Sequence, residues 1–145
     1  MKVVLQRVTS AQVLVQNERV GSCSKGFCIL AGIHPDDTEQ RIEKMVNRIV
    51  NLRVFEDEQG KMNKSLLDIQ GSALIVSQFT LLADCNSGRR PSFSGAGNPI
   101  RANELFDFFV SSVKQKGIPV ETGVFGADMH VEIHNDGPAT FILEG

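Results

Sequence analysis

The first third of the chain has the hydrophobic pattern of β-strands. An apolar stretch begins at residues 3–5, and Ala11, Val13 and Val15 then alternate with polar neighbours. This period of two is typical of a strand with one buried face. Residues 27–33 are continuously apolar, which predicts a strand buried on both faces.

Two later segments have the spacing of amphipathic helices, and the first covers residues 36–52. Its apolar side chains return at intervals of three and four and form one helical face, which consists of Ile42, Met45, Val46, Ile49 and Val50. Asp36, Asp37 or Thr38 can cap this helix at its N-terminus, because each has a short side chain with an acceptor oxygen.

The second predicted helix runs from Pro99 to about Lys116. Asn98 is a suitable N-cap, proline is favoured in the first helical turn, and Gly117 suits the C-terminal stop. The apolar face of this helix consists of Ala102, Leu105, Phe109 and Val113.

Short strands complete the pattern. Residues 52–55 and 73–76 have strand character between the helices, and residues 129–133 alternate apolar and polar side chains. Residues 135–138, Asn-Asp-Gly-Pro, are typical of a turn, so residues 139–143 are predicted to return as the second strand of a hairpin. Together these elements predict an α/β fold in which helices cover a mixed β-sheet.

The composition leaves few conventional catalytic side chains. A chain of 145 residues, 41% hydrophobic and 22% charged, predicts one globular domain over residues 1–145. It contains no Tyr and no Trp, and only three His and three Cys. Cys23, Cys28 and Cys85 are odd in number and lack the spacing of zinc ligands, so we expect no disulfide framework, no metal and no cofactor.

The same features favour a cytoplasmic protein. Unpaired cysteines suit a reducing compartment. The opening segment alternates and contains Arg7, unlike a signal peptide, and no apolar run approaches the roughly 18 residues of a membrane span. We therefore expect no contact with a membrane.

Charge is divided unevenly along the chain. Residues 118–145 contain five acids and no Lys or Arg, so they carry −5, and because the whole chain carries −2, the remainder carries +3. Arg89, Arg90 and Arg101 lie in a Gly- and Ser-rich stretch without acids, which could meet a phosphate backbone. A solvated, flexible loop explains this stretch equally well.

Polar residues follow the apolar run at residues 73–76. Ser77, Gln78 and Thr80 stand at the carboxyl end of this strand, where α/β sheets commonly place ligands. Thr80 would be a nucleophile if a base activated it, and Ser77 and Gln78 could hold a carbonyl or a ribose. Alternatively, the two hydroxyls only satisfy backbone groups where the strand ends.

Two further features also have competing interpretations. Gly137 and Pro138 lie at the tip of the predicted hairpin, where such a pair either presents carbonyl oxygens in fixed directions or forms an ordinary β-turn. His130 and His134 fall on one face of a strand, and the alternation favours a solvent-exposed face over a metal site.

Two short motifs give the chain a family resemblance. SQFTL at residues 77–81 and NDGPAT at residues 135–140 together resemble the two signature motifs of the D-aminoacyl-tRNA deacylases. The likeness covers essentially the whole chain in family order, since it extends to LQRVTSAQV at residues 5–13, LRVFEDEQGKMNKS at residues 52–65, RRPSF at residues 89–93 and GVFGADM at residues 123–129.

The resemblance implies a barrel-like mixed sheet covered by two main helices, and a homodimer with its active sites at the subunit interface. In this family the Gly-Pro peptide bond is cis, and the pair from one subunit enters the active site of the other. Gly137 and Pro138 match this cross-subunit selectivity element, and Arg7 matches a residue that supports its loop. The positions that match the pocket for the terminal adenosine and its ester are Ser77, Gln78, Phe79, Thr80, Ala102 and Phe125.

The implied activity is hydrolysis of the ester that joins a D-amino acid to the terminal ribose of tRNA. Backbone N–H groups around Phe79 and Thr80 could stabilise the oxyanion. The carbonyls of Gly137 and Pro138 would bind the substrate ammonium and leave no room for an L side chain, so glycyl-tRNA should be a second substrate. Ala139 stands where the family usually has Val or Phe, and the packing of the loop could differ accordingly.

The nucleophile and the tRNA contacts follow as expectations. Thr80 has no obvious base partner among the three histidines, so we favour attack by water assisted by the neighbouring ribose 2′-hydroxyl. Arg89, Arg90 and Arg101 would contact tRNA phosphates near the acceptor end. Two other functions stay open: a hydrolase of small esters with Thr80 as nucleophile, and a non-catalytic dimeric RNA-binding module.

Overall fold

The long alternating segment at the start of the chain organises a mixed sheet in the computed structural model, which describes residues 1–34, 36–94 and 97–145. In chain order the elements are β1 (Lys2–Val15), β2 (Glu18–Cys23), β3 (Gly26–Gly32), α1 (Glu39–Asn51), β4 (Phe55–Glu56), β5 (Met62–Lys64), β6 (Ser72–Ser77), a 3₁₀ turn (Phe79–Leu82), α2 (Pro99–Gln115), β7 (Val120–Thr122) and β8 (His130–Glu144).

Strand β1 is long enough to pair with three other strands. Antiparallel β3 and β2 follow one another along one edge of β1, and antiparallel β8 occupies the other edge. Strand β6 then pairs in parallel with both β3 and β7. The predicted mixed α/β sheet is therefore confirmed.

The sheet nearly closes on itself, because β2 approaches β7. The backbone N–H of Ser22 donates a hydrogen bond of 2.6 Å to a carboxylate oxygen of Glu121. Gly21 makes this approach feasible, since a Cβ at its position would lie only 2.4 Å from the carbonyl oxygen of Thr122. The barrel-like shape implied by the resemblance is present.

Both predicted helices cover the sheet, and their ends follow the predicted capping residues. The Thr38 hydroxyl accepts a hydrogen bond from the N–H of Arg41 at 3.3 Å and begins α1, while Asn98 accepts from the N–H of Ile100 at 2.8 Å and begins α2. All five apolar residues predicted for the face of α1 are buried. The main core lies between the helices and the sheet. No helix in the described ranges has the length and apolar character needed to cross a membrane.

The predicted C-terminal hairpin is wrong. Strand β8 continues through the Asn-Asp-Gly-Pro segment and pairs with β1 on both sides of it. Gln6 pairs with Thr140 and Val8 with Asn135, so four residues of β8, 136–139, bulge out opposite Arg7 alone. The turn prediction assumed that the flanking segments pair with each other, but the long β1 offers a partner to both. The Gly137–Pro138 peptide bond in this bulge is cis.

The strand predicted at residues 52–55 is shorter than expected. Helix α1 ends at Asn51 with Leu52 as its C-cap, and the strand begins only at Phe55. It pairs with β5 in a separate two-stranded hairpin. Strands β2, β5 and β7 were not predicted, because each is short and none has a clear alternation.

Candidate active site

A pocket of about 510 Å³ opens at the carboxyl end of β6, between this strand, the start of α2 and the segment that leads into β8. The chain leaves the sheet at Ser77, and the N–H of Gln78 donates to the carbonyl oxygen of Ala31 at 2.8 Å, which fixes the start of the 3₁₀ turn. The residues that line the pocket are Val76, Ser77, Gln78, Phe79, Gly97, Pro99, Ala102, Phe125, Gly126, Ala127, Asp128, Met129 and Val131.

The structure brings together five of the six residues that the sequence placed in one pocket. Ser77, Gln78 and Phe79 approach from β6, Ala102 from α2, and Phe125 from the segment before β8. The lining is mainly apolar, which suits an aromatic ligand with a few polar groups. The individual roles assigned to these residues stay predictions.

Thr80 lies beside this pocket and is exposed. The side-chain amide of Gln78 donates a hydrogen bond to the Thr80 hydroxyl oxygen. A hydroxyl that accepts a hydrogen bond at its oxygen is a weaker nucleophile, and activation would need a base on its proton.

None of the histidines, all of which lie in the described ranges, lines the pocket or bonds to Thr80. His130 and His134 are exposed on β8, as predicted, and His130 lies 3.8 Å from Glu132. His34 lines an adjoining cavity of about 110 Å³ with Arg101, and its Nδ1 accepts from the N–H of Asp36 at 3.2 Å. The geometry therefore offers Thr80 no histidine base.

Two of the three thiols are poor nucleophiles. Burial raises the pKa of the Cys28 thiol to about 12, and burial also raises the pKa of Cys23. Both therefore stay protonated at neutral pH, whereas the thiolate is the reactive form. Within residues 1–34, 36–94 and 97–145, no three His, Cys, Asp or Glu side chains form a group suited to a metal ion.

Asp128 and Met129 line the pocket, and neither was singled out as a site residue in the sequence. Asp128 carries the one titratable side chain among the described lining residues. The available signal was the GVFGADM segment, which was quoted only for its family resemblance. Phe125 in this segment packs on Phe106 of α2, with ring centroids 5.9 Å apart, so the segment is tied to the helix.

A second cluster forms around the bulge of β8. Arg7 is only 6% exposed, and it donates to the carbonyl oxygen of Asp136 at 3.0 Å and to that of Val54 at 2.7 Å. Gly137 has φ +128°, and a Cβ at its position would lie 2.8 Å from the Arg7 guanidinium. Arg7 thus contacts the loop that the sequence assigned to it.

Asn135 holds the other side of the bulge, a role that sequence reasoning missed. Its side-chain oxygen accepts from the N–H of Ala139 at 2.8 Å, and its amide donates to the carbonyl of Ala139 at 3.3 Å and to the Thr140 hydroxyl at 3.2 Å. These bonds replace the strand pairing that Ala139 loses in the bulge. The known tendency of Asn to bond nearby backbone groups was the signal for it.

Gly137 and Pro138 are exposed, and they are not among the described residues that line the pocket of their own chain. The structure of one chain therefore does not bring the predicted selectivity element to the predicted pocket. Ala139, the departure from the family pattern, is the buried residue at the end of the bulge.

The three predicted phosphate contacts lie in different settings. Arg89 and Arg90 are exposed in a loop whose base is closed by two hydrogen bonds of 2.9 Å between the backbones of Asp84 and Ser92. Arg101 lies in the first turn of α2 and forms an ion pair of 3.0 Å with Glu104. Its positive charge is therefore partly neutralised, so Arg101 is a weaker candidate than Arg89 and Arg90 for a contact with tRNA phosphates.

Comparisons with known sequences agree along the whole chain. A family model described as D-Tyr-tRNA(Tyr) deacylase matches residues 4–144. The D-aminoacyl-tRNA deacylase of Fervidobacterium nodosum is 53% identical over 144 residues, which cover 99% of this chain and 97% of that protein. The D-aminoacyl-tRNA deacylase of Clostridium perfringens is 54% identical with the same coverage of both chains.

Solved structures share the fold. The c-Myc DNA Unwinding Element Binding Protein superposes with a TM-score of 0.93 at 42% identity, over 100% of this chain and 99% of that one. A probable eukaryotic D-amino acid tRNA deacylase superposes with a TM-score of 0.84 at 20% identity, over 98% and 97% of the two chains, which shows the fold alone. The resemblance found in the two motifs is confirmed, and the chain belongs to the D-Tyr-tRNA(Tyr) deacylase family of hydrolases that act on aminoacyl-tRNA.

Proposed function

We propose that this protein hydrolyses the ester of D-aminoacyl-tRNA, releasing the free D-amino acid and tRNA, and that it spares L-aminoacyl-tRNA. The observation that carries the proposal is the pocket at the end of β6. Its volume of about 510 Å³ lies within the range of small-ligand sites, and Ser77, Gln78 and Phe79 line it at the point where the family motif stands. A terminal adenosine with its ester has the size and the mixed polarity for this pocket.

Main-chain groups supply the oxyanion site in this proposal. Phe79 and Thr80 begin the 3₁₀ turn, and the first N–H groups of a helical turn have no acceptor within it. Two N–H groups directed at the carbonyl oxygen of the ester stabilise the charge that develops during attack. This arrangement needs no Tyr, His or Cys, which agrees with the scarcity of such side chains.

The selectivity element comes from a second subunit in this proposal. The exposed position of Gly137 and Pro138, outside the pocket of their own chain, supports insertion into the pocket of a partner. There the two carbonyls accept hydrogen bonds from the substrate ammonium and occupy the space of an L side chain. Glycine has no side chain to exclude, so we infer that glycyl-tRNA is also a substrate.

An uncovered apolar face of the sheet supports the homodimer. Val4 pairs with Leu30 on one side and with Ile142 on the other, so the three side chains are neighbours on the sheet face opposite the helices. Ile142 is 63% exposed in the single chain. Val4 and Leu30 are half-buried, so the three residues form a small apolar patch with Ile142 as its most exposed part, and such a patch is typical of an interface.

Sedimentation equilibrium tests the homodimer. We expect a mass of about twice the chain mass of 15.9 kDa. Ile142→Glu should shift the mass toward one chain and remove deacylation together with dimerisation, because a charge on the interface is costly to bury. Val20→Glu, at another exposed apolar residue, is the matched control and should change neither. A monomer with full activity would contradict a site shared between subunits.

A paired deacylation assay tests the activity itself. D-Tyr-tRNA and L-Tyr-tRNA are incubated with the enzyme, and released amino acid is measured against time. We expect the D ester to react at least about 100-fold faster, which corresponds to ~2.8 kcal/mol of discrimination. Equal rates on both esters would favour a hydrolase without chiral selection, and no release from either would favour the non-catalytic RNA-binding module.

A further part of the proposal concerns how the enzyme contacts the phosphates of tRNA. Exposed Arg89 and Arg90 contact phosphates of the acceptor end, which gives binding an electrostatic component that salt screens. Arg101 contributes less, because Glu104 already pairs with it.

We place the activity in the cytoplasm, where free thiols such as the exposed Cys85 persist.

A further inference from the structure

We propose that Phe93 is a stacking surface for the base that precedes the terminal adenosine of the substrate. The inference rests on the proposed function, since it concerns how the same substrate reaches the same pocket. It extends the site to Phe93 of the RRPSF segment, a residue to which the family resemblance assigns no role.

Phe79 and Phe93 form an exposed aromatic pair. Their ring centroids are 5.2 Å apart and the rings are inclined by 55°. Phe79 is 56% exposed and Phe93 is 41% exposed, and no other Phe of the described residues is exposed to this degree. Large aromatic surface left in water is unfavourable, so an exposed pair beside a pocket indicates a surface that a ligand covers.

The pair connects the pocket with the exposed surface beside it. Phe79 lines the pocket, and Phe93 packs against Phe79 without lining the pocket itself. Phe93 is also held in place, because it follows the two backbone hydrogen bonds between Asp84 and Ser92 that close the base of the loop. The exposed Arg89 lies within this loop, so a cationic side chain and the Phe93 ring belong to the same short segment of the chain.

A single-stranded polynucleotide end matches this arrangement. When the terminal nucleotide occupies the pocket, the preceding nucleotide must lie outside it, and in this proposal it lies on the exposed Phe93 ring beside Phe79. Base-aromatic stacking tolerates any base and strengthens binding of single strands, and nearby arginines follow the phosphate backbone. Phe93 therefore contributes to binding of the polynucleotide but not to the chemistry on the ester.

Two substrates separate these contributions. One is D-Tyr-tRNA, and the other is the D-tyrosyl ester of adenosine, which has no preceding base. Phe93→Ala should raise KM for D-Tyr-tRNA about tenfold with kcat little changed, and it should leave kcat/KM for the adenosine ester within about twofold. Phe93→Leu keeps apolar volume without a ring and should raise KM as the alanine variant does. Phe93→Trp keeps an aromatic ring and should have a KM close to that of the wild type.

The other outcomes overturn the proposal. Equal losses on both substrates would mean that Phe93 supports the pocket itself, and unchanged KM for tRNA in Phe93→Ala would mean that nothing stacks there. A shift of Phe93→Ala to the mass of one chain would assign the ring to the subunit interface. Binding of uncharged tRNA is measured in parallel: if the wild type binds it with the expected Phe93 dependence but hydrolyses neither ester, the proposed function fails and the role of Phe93 stands.

Discussion

A D-aminoacyl-tRNA whose terminal ribose lacks the 2′-hydroxyl is expected to be nearly inert, with kcat lowered about 1,000-fold. A positioned group that assists proton transfer contributes about 10²–10⁴-fold to a hydrolytic rate. The pocket supplies no histidine among its described lining residues, and burial keeps Cys23 and Cys28 protonated. The 2′-hydroxyl adjoins the ester in the substrate itself, so it can assist the attacking water without a protein base.

Thr80→Ala is the companion measurement, and we expect it to retain appreciable activity on the ordinary substrate. The Thr80 oxygen already accepts a hydrogen bond from Gln78, and no histidine bonds to its hydroxyl. Single-turnover rates and tRNA binding are measured for both substrates. Loss of all activity in Thr80→Ala with binding intact would restore Thr80 as nucleophile. A lost rate and altered pH profile in Asp128→Asn would instead assign the proton transfer to that carboxylate.

Gly137→Ala is expected to lower kcat/KM for D-aminoacyl-tRNA about 100-fold and to reduce the preference for D over L. Gly137 has φ +128°, where a side chain costs about 1–3 kcal/mol, and its Cβ would lie 2.8 Å from the Arg7 guanidinium. The backbone nitrogen of Ala139 would also lie only 3.2 Å from that Cβ. Either the bulge or the Arg7 side chain that supports it must therefore shift, and we expect the two carbonyls that we propose as the selectivity element to shift with it.

Gly60→Ala is the matched control for this substitution. Gly60 also has a positive φ of +72°, but a Cβ there meets nothing within 4 Å, and the residue lies in the turn of the β4–β5 hairpin. It should lower thermal stability slightly and leave deacylation and the D/L ratio unchanged. If Gly137→Ala behaves like Gly60→Ala in the paired assay, the selectivity role of the bulge is wrong.

Local regularity explains why much of the fold was predictable. The five apolar residues on one face of α1 show the helical period, and the capping residues Thr38 and Asn98 mark the N-termini of α1 and α2. The apolar runs that form β3 and β6 predicted buried strands equally clearly. In each case the pattern concerns neighbours within a single element.

The C-terminal segment shows where this reasoning ends. Asn135 to Pro138 has the composition of a hairpin turn, and that composition is also compatible with a bulge. The outcome depends on whether residues 139–143 pair with the preceding residues 130–134 or with β1. They pair with β1, because this strand is long enough to pair with the segments on both sides of the bulge. Pairing of this kind joins residues that are at least 116 positions apart, as Leu14 and His130 are, so no local window contains it.

The sequence by itself determined the family, the two helices, the mixed sheet and the pocket residues that adjoin β6, because motifs and periodicity are properties of short, continuous segments. Only the tertiary structure decided that Asp128 and Met129 join that pocket, that Asn135 holds the bulge on the side away from Arg7, and that Phe93 lies against Phe79. These contacts depend on which distant segments the long β1 and the closing sheet bring together. Their physical origin is the pairing and packing of whole elements, which a single stretch of chain does not encode.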